Sequence, residues 1–555
     1  MLVGFGLGLM GILARAFYVQ VWQREFYQRR AERQQIRVVT LPAHRGQLLD
    51  RSGIPLAISA PVQSVCINPR EFKASPEQLG TLACRLGMAE RKLVKKLQIH
   101  RQQAFLYLKR QLAPPEAEAI EALSIEGLFL KPEFKRYYPF AEVTSHLLGF
   151  TNVDQIGQEG LEKQFDSRLR GVPGRMRVIQ DRRGRIIEAI EALQEARAGD
   201  DVYLSIDRRL QYWGYLELKR ACALHKAKAG MLVLVDADTG EVLALANQPA
   251  FNPNRRRELY RENFRNRAVV DSFEPGSTLK PLALACALRE KAVPWEFRID
   301  THPGWMRVGG HLVRDHHDYG VLDLAGILKK SSNVGITQVA LRMSPQAFAA
   351  CLKDFGLGQA TQIEFPGEAS GRISDPSGWG KFEQATVAFG YGITASALQL
   401  ARAYTVFASG GMLRSLTLLP RAQDERAKRV IPAEVATRVL SWLEGVVSQE
   451  GTALKAKILG YRIAGKTGTA KIAVAGGYAD GRYRSLFVGI APASKPRLVM
   501  VVVIEEPQGE YYGGEVAAPV FSRVMEMALR LLGVPPDASP AGDWRERLRL
   551  AATKG

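Results

Sequence analysis

The 555-residue chain carries only five cysteines, Cys66, Cys84, Cys222, Cys286 and Cys351, far apart and odd in number. No two form a Cys-x-x-Cys pair, which excludes the usual spacing of a thiol redox motif or a zinc cluster. They read mostly as small buried hydrophobes. One disulfide is open to an extracytoplasmic chain, and the sequence does not assign it. Acidic residues are in deficit, 56 against 76 Lys plus Arg, for a formal charge of +20. That excess suits an anionic membrane surface, an acidic polymer or nucleic acid. The arginine runs at 182–185 and 255–257 have neither zinc-finger spacing nor an aromatic-basic pattern beside them, so nucleic acid is not expected as a partner. Repeats and low-complexity tracts are also missing. With 46% hydrophobic residues the chain can bury large cores, and its length implies two or three domains.

One long hydrophobic run exists, at the start. Residues 2–22 are apolar apart from Arg15 and Gln20. As a straight helix rising about 1.5 Å per residue they would reach roughly 30 Å, the thickness of a bilayer core. Tyr18 and Trp22 would sit at an interface, and no small-x-small cleavage site follows. We therefore expect a membrane anchor over 1–22. Its charges run against the positive-inside rule, because nothing basic precedes it while Arg24, Arg29 and Arg30 follow. The expectation is that the recorded start lies inside the helix, after a short basic tail.

After a strongly polar segment at 23–37, residues 38–200 mix short strands, turns and helical stretches, including a Pro-initiated helix over 114–123. A second unit is expected over 201–535. It opens with a strand at 202–206 and an amphipathic helix at 208–223, then a hairpin of 230–236 and 241–246 about the turn Asp238-Thr239-Gly240. Helical signals dominate 280–350. Strand-like runs follow at 461–464, 485–490 and 498–504, which implies an α/β or α+β layer architecture. Residues 536–555 read as a Pro-rich, charged, mobile tail.

The chemistry starts at Ser277. A serine attacks only if a base removes its proton and donors stabilise the oxyanion. Ser277-Thr278-Leu279-Lys280 is the only S-x-x-K in the chain. It follows Glu274-Pro275-Gly276 and precedes an Ala/Leu-rich stretch, so it opens a helix, at the positive end of the dipole. Three residues apart, Ser277 and Lys280 share a face, and a desolvated lysine beside another cation can act as base. Alone the motif is weak, since a capping serine and a surface lysine give the same pattern. Ser331-Ser332-Asn333, in the helical context 327–335, and Lys466-Thr467-Gly468-Thr469, after the strand-like 462–464, supply the second and third elements of a serine acyltransferase set.

These motifs resemble those of the penicillin-binding proteins. Arg45–Gly53 and Gly157–Gly171 resemble the non-catalytic pedestal of their class B. Residues 265–281, His317–Gly320, Phe389–Ile393 and Tyr511–Gly514 are similar to the septal branch of that class. The resemblance implies a penicillin-binding/β-lactamase-like transpeptidase domain, with an antiparallel sheet flanked by helices, on an elongated α+β pedestal (dimerisation-type, 23–200). It also implies a single-pass anchor in the cytoplasmic membrane and a catalytic domain outside it. The implied substrates are peptidoglycan stem peptides ending in D-Ala-D-Ala, on lipid-linked glycan strands. Ser277 would attack, Lys280 accept its proton, Ser331 relay it, and Asn333 hold the peptide. Lys466 would keep the site electropositive, while Thr467 and Thr469 anchor the carboxylate and Gly468 admits close approach. The backbone N–H groups of Ser277 and Thr469 would form the oxyanion hole, each donor contributing about 3 kcal/mol. No metal or cofactor is required. β-Lactams would leave Ser277 acylated. A polytopic septal glycosyltransferase and other division proteins are the implied partners. An elongation-type enzyme, a β-lactamase and a β-lactam sensor are the competing readings.

Overall fold

The computed structural model describes residues 2–25, 36–180, 186–255, 261–474 and 477–538. Arg29, Arg30, the arginines at 182–185 and 256–257, and the tail beyond 538 lie outside the described residues.

In the N-terminal unit a 13-residue strand, Pro55–Ile67, pairs antiparallel with Leu106–Leu112 and Leu128–Tyr137. Helices Pro76–Leu86, Glu90–Ile99 and Pro114–Glu121 accompany it, and their apolar sides close a small core of Val65, Ile67, Leu82, Leu93, Leu108 and Ile120. Two of these helices begin on proline, where the missing N–H has no intrahelical partner to lose. A separate three-stranded sheet joins Ile36–Leu41, Gly174–Gln180 and Ile186–Gln194.

The two pedestal-like stretches of sequence meet in one buried charge network. Arg45 lies 2.7 Å from Glu162 and 2.8 Å from Asp166, and Arg136 lies 2.6 Å from the other oxygen of Glu162. Arg45, Arg136 and Glu162 are all buried. Charges this far from water persist only when paired and hydrogen-bonded, so the network locks three distant segments into one geometry.

The C-terminal unit is built on five antiparallel strands: β1 (Ala229–Asp236), β2 (Val242–Gln248), β3 (Ala464–Val474), β4 (Gly477–Ala491) and β5 (Leu498–Glu505). They run in the order β2-β1-β5-β4-β3. Every residue of β1, β2 and β5 is buried, because helices cover both faces. Helices α1 (Arg208–Leu224) and α8 (Ala518–Leu531) pack together on the sheet, and α6 (Ala397–Ala408) packs against β5, β1 and β4. Further helices, α2 (Lys280–Arg289), α3 (Leu324–Lys330), α4 (Asn333–Ala340), α5 (Pro345–Asp354) and α7 (Ala433–Val446), form the layer beside β3, with α2 buried at its centre. Cys286 of α2 is bonded to Cys351 of α5, which resolves the pairing that the sequence left open.

Three expectations change. The stretch 280–350 is not continuously helical: two-stranded pairs of Arg298–Asp300 with Val321–Asp323 and of Trp305–Val308 with His311–Arg314 interrupt it. The third motif lies inside a strand rather than after one. β3 starts at Ala464 and carries Lys466–Thr469, each paired to a residue of β4 from Val488 to Ser485. Two glycines give this stretch poor β-propensity, and its apolar partner strand overrides that. The N-terminal α-helix stops at Phe17 and passes into a π-turn at Tyr18–Trp22. Among the described residues, no helix is long and apolar enough to cross a membrane. Sixteen residues rise only about 24 Å, short of the straight helix expected over 2–22.

Candidate active site

The turn carrying Ser277 is a 3-10 turn, Gly276–Leu279, that runs directly into α2. Its entry is fixed by close backbone contact. The Gly276 N–H donates to the Gly390 carbonyl at 3.1 Å, and a β-carbon on Gly390, whose φ is +86°, would lie 2.1 Å from the Gly276 oxygen. Phe273 and Ala395 exchange two backbone hydrogen bonds just before. Glu274 accepts from the Gly392 N–H at 2.8 Å and the Tyr478 hydroxyl at 3.2 Å. Burial raises its carboxyl pKa, against those two donors. The sequence features at 274–276 and 389–393 are thus one structural unit. Gly468 serves the same turn: a β-carbon there would meet Thr278 at 2.9 Å and the Pro275 carbonyl at 3.1 Å.

Ser331 and Ser332 break the helical run expected over 327–335. Ser331 closes α3 in the left-handed region, φ +57°, and Ser332 caps α4 through the Gly335 N–H at 2.8 Å. Asp315 holds the start of α4. It accepts from the Ser332 hydroxyl at 2.5 Å, from the Val334 N–H at 3.1 Å and from the Asn333 N–H.

This geometry brings the three motifs together. Lys280 donates to Ser331 Oγ at 3.1 Å, to Asn333 Oδ1 at 2.7 Å and to the Ser331 carbonyl. Its three donors are directed at the second motif rather than at Ser277. Lys466 donates to the same Ser331 Oγ at 2.9 Å. With both lone pairs of that hydroxyl engaged, its proton points elsewhere. Both lysines are fully buried. Burial lowers the Lys280 pKa from 10.5 to about 7, with Asp315 opposing. Burial and the neighbouring Lys280 push Lys466 well down as well. Asn333 gives one amide hydrogen to the Arg314 carbonyl at 2.8 Å.

A cleft of about 990 Å³ opens over this cluster, lined by Ser277, Ser331, Asn333, Thr467, Thr469 and the tyrosines at 391, 483, 511 and 512, among others. Thr469 Oγ1 accepts from the Gly513 N–H at 3.1 Å, and Thr467 shares a 2.8 Å hydrogen bond with Thr452. Sequence reasoning missed Asp315 and Thr452. Asp315 stands just before the septal-like His317–Gly320, a faint signal; Thr452 carries none.

Comparison with known proteins agrees with this arrangement. The model of the penicillin-binding protein transpeptidase domain matches residues 230–526, and that of the penicillin-binding protein dimerisation domain matches residues 40–204. The peptidoglycan D,D-transpeptidase FtsI of Escherichia coli K12 is 41% identical over 546 residues, covering 97% of this chain and 92% of the relative. A peptidoglycan synthetase structure from Bifidobacterium adolescentis superposes with a TM-score of 0.72 at 28% identity, covering 91% of this chain and 98% of that one. The transpeptidase domain of Burkholderia pseudomallei penicillin-binding protein 3 is 40% identical with a TM-score of 0.56, covering 60% of this chain and 98% of that one. Two family models in series and identity along almost the whole length place the chain in one family: it belongs to the class B penicillin-binding proteins, the peptidoglycan D,D-transpeptidases.

Proposed function

We propose that the chain cross-links peptidoglycan stem peptides through an acyl-enzyme on Ser277. The observation that carries this is the convergence of Lys280 and Lys466 on the Ser331 hydroxyl, beside the turn that presents Ser277. Ser277 Oγ attacks the carbonyl of the penultimate D-Ala while its proton passes to Lys280, which in its neutral form near pH 7 keeps two of its three donated bonds and turns its lone pair to Ser277. The Ser331 proton, unused within the cluster, is delivered to the departing D-Ala amine, and Ser331 is reprotonated through the lysines. The acyl group then moves to an amine of a second stem. β3 is an edge strand packed beside the nucleophile turn, so an extended stem can lie along it. The Thr467 and Thr469 hydroxyls face its carboxylate. Lys466, easily neutral in the empty site, regains its proton when that anion arrives, and supplies the positive charge there.

A septal role is supported by the sequence at 274–276, 317–320 and 389–393. The apolar helix Leu2–Phe17, which exposes Met10, Ile12, Leu13 and Phe17, with Tyr18 and Trp22 after it, is proposed as a membrane-associating segment that, with the pedestal, contacts a polytopic glycosyltransferase. The acylation reading is tested with a fluorescent penicillin. Wild type should hold the label for hours and Ser277→Ala should take none. Rapid release from wild type would instead mark a β-lactamase.

A further inference from the structure

Thr452 lies outside all three motifs, on the loop after α7, yet it lines the cleft and its hydroxyl is 2.8 Å from that of Thr467. Its own side chain is exposed, whereas Thr467 is buried. The loop is anchored from several sides. Lys329 and Lys330, immediately before Ser331, grip the side chain and the carbonyl of Glu450, the latter at 3.1 Å. The Ala453 N–H donates to the Val446 carbonyl at 3.0 Å. Gly514 packs so tightly beneath the loop that a β-carbon there would lie 2.1 Å from the Thr452 oxygen. Thr452 is therefore placed both by the two lysines that precede the second motif and by the segment containing Tyr511–Gly514.

Proton counting gives the placement a meaning. Each hydroxyl holds one proton, and a single hydrogen bond between Thr452 and Thr467 uses one of the two. With the anion bound Lys466 is an ammonium and adds only donors, reaching Thr467 Oγ1 at 3.5 Å. Whichever threonine donates to the other, one O–H remains free, and the bond between them narrows the directions it can take. From this geometry we infer that Thr452 is a specificity-determining residue for the ligand carboxylate: with Thr467 it forms a two-hydroxyl unit that donates one O–H to the anion beside β3. The inference rests on the transpeptidase reading, in which the donor peptide ends in a free carboxylate.

The test uses the purified full chain and a penicillin supplied as the free acid and as its methyl ester, with acylation rates followed by intact mass. Wild type should react faster with the acid. Thr452→Val keeps the shape, removes the hydroxyl and leaves the Thr467 O–H without the partner that directs it, and should lower the acid-over-ester preference severalfold. Thr452→Ser should restore most of it. Equal slowing of acid and ester by Thr452→Val would reduce the residue to a structural part and overturn the inference. Thr467→Val separates the two levels. Should it lower the preference while Thr452→Val does not, the inference falls and the transpeptidase site stands. No preference in wild type would remove the carboxylate site itself, and none lost in either valine variant would overturn the inference and leave the carboxylate to Thr469 and Lys466.

Discussion

Lys280 and Lys466 meet on a single acceptor, the Ser331 hydroxyl, at 3.1 and 2.9 Å. Among the described residues neither amine forms an ion pair with a carboxylate, and both are fully buried. Two ammonium groups sharing one hydroxyl away from water repel each other, and each is disfavoured by desolvation. The pair therefore carries fewer than two protons near neutrality, and its apparent titrations belong to the pair.

The pH profile of acylation follows. A base must be neutral, and Lys280 becomes neutral as pH rises through about 7. The rate constant for penicillin acylation should climb with pH across that region and then level off. Lys280→Met should lower the rate about 10²–10⁴-fold and remove the limb. A wild-type rate that stays flat from pH 5.5 to 9 would rule Lys280 out as the base.

Binding of an anion should take up a proton. If burial and Lys280 leave Lys466 neutral in the empty site, an arriving carboxylate favours its ammonium form. Ser277→Ala removes the covalent step, so ligand binding can be followed alone by calorimetry in two buffers with different protonation heats. At pH 8 the apparent enthalpy should differ between buffers in the sense of proton uptake. Identical heats would show that Lys466 is already charged.

The Gly390 contact makes a sharp steric prediction. Alanine there requires a β-carbon 2.1 Å from the Gly276 oxygen at a φ of +86°, so the nucleophile turn must move. Gly390→Ala should lose most penicillin acylation, while Gly378→Ala, where the added carbon meets nothing within 4 Å, should react like wild type. Full acylation of Gly390→Ala would show that the turn does not depend on this contact.

What could be read from the sequence was local. Ser277 and Lys280 were legible because a spacing of three on one turn fixes a face, and the hairpin of β1 and β2 because two β-rich apolar runs flank a turn. The placement of Lys466–Thr469 within β3 was not legible, because the strand depends on β4 for its apolar partner. Thr452 was invisible, and Asp315 nearly so, for a related reason. Each acts through a fold contact, Asp315 with the start of α4 and Thr452 with β3, that no spacing announces. The direction of Lys280 was misjudged on the same ground: helix geometry aims it at Ser277, whereas the approach of α3 and α4 offers it Ser331 and Asn333.

The bond between Cys286 and Cys351 sits directly behind the chemistry, since α2 begins with Lys280 and Cys286 is buried at its middle. It closes a loop across 65 residues of separation, and cross-links of that span typically stabilise by about 4 kcal/mol through the unfolded chain. Three cysteines, Cys66, Cys84 and Cys222, remain free. Alkylation of the denatured, unreduced chain should therefore modify three thiols, and five after reduction. The double variant Cys286→Ala/Cys351→Ala should melt several degrees lower while still taking up penicillin in the cold, because the packing of α2 against α4, α5 and α7 remains. Five thiols alkylated without reductant, in chain recovered from an oxidising compartment, would show that α2 is held by that packing alone.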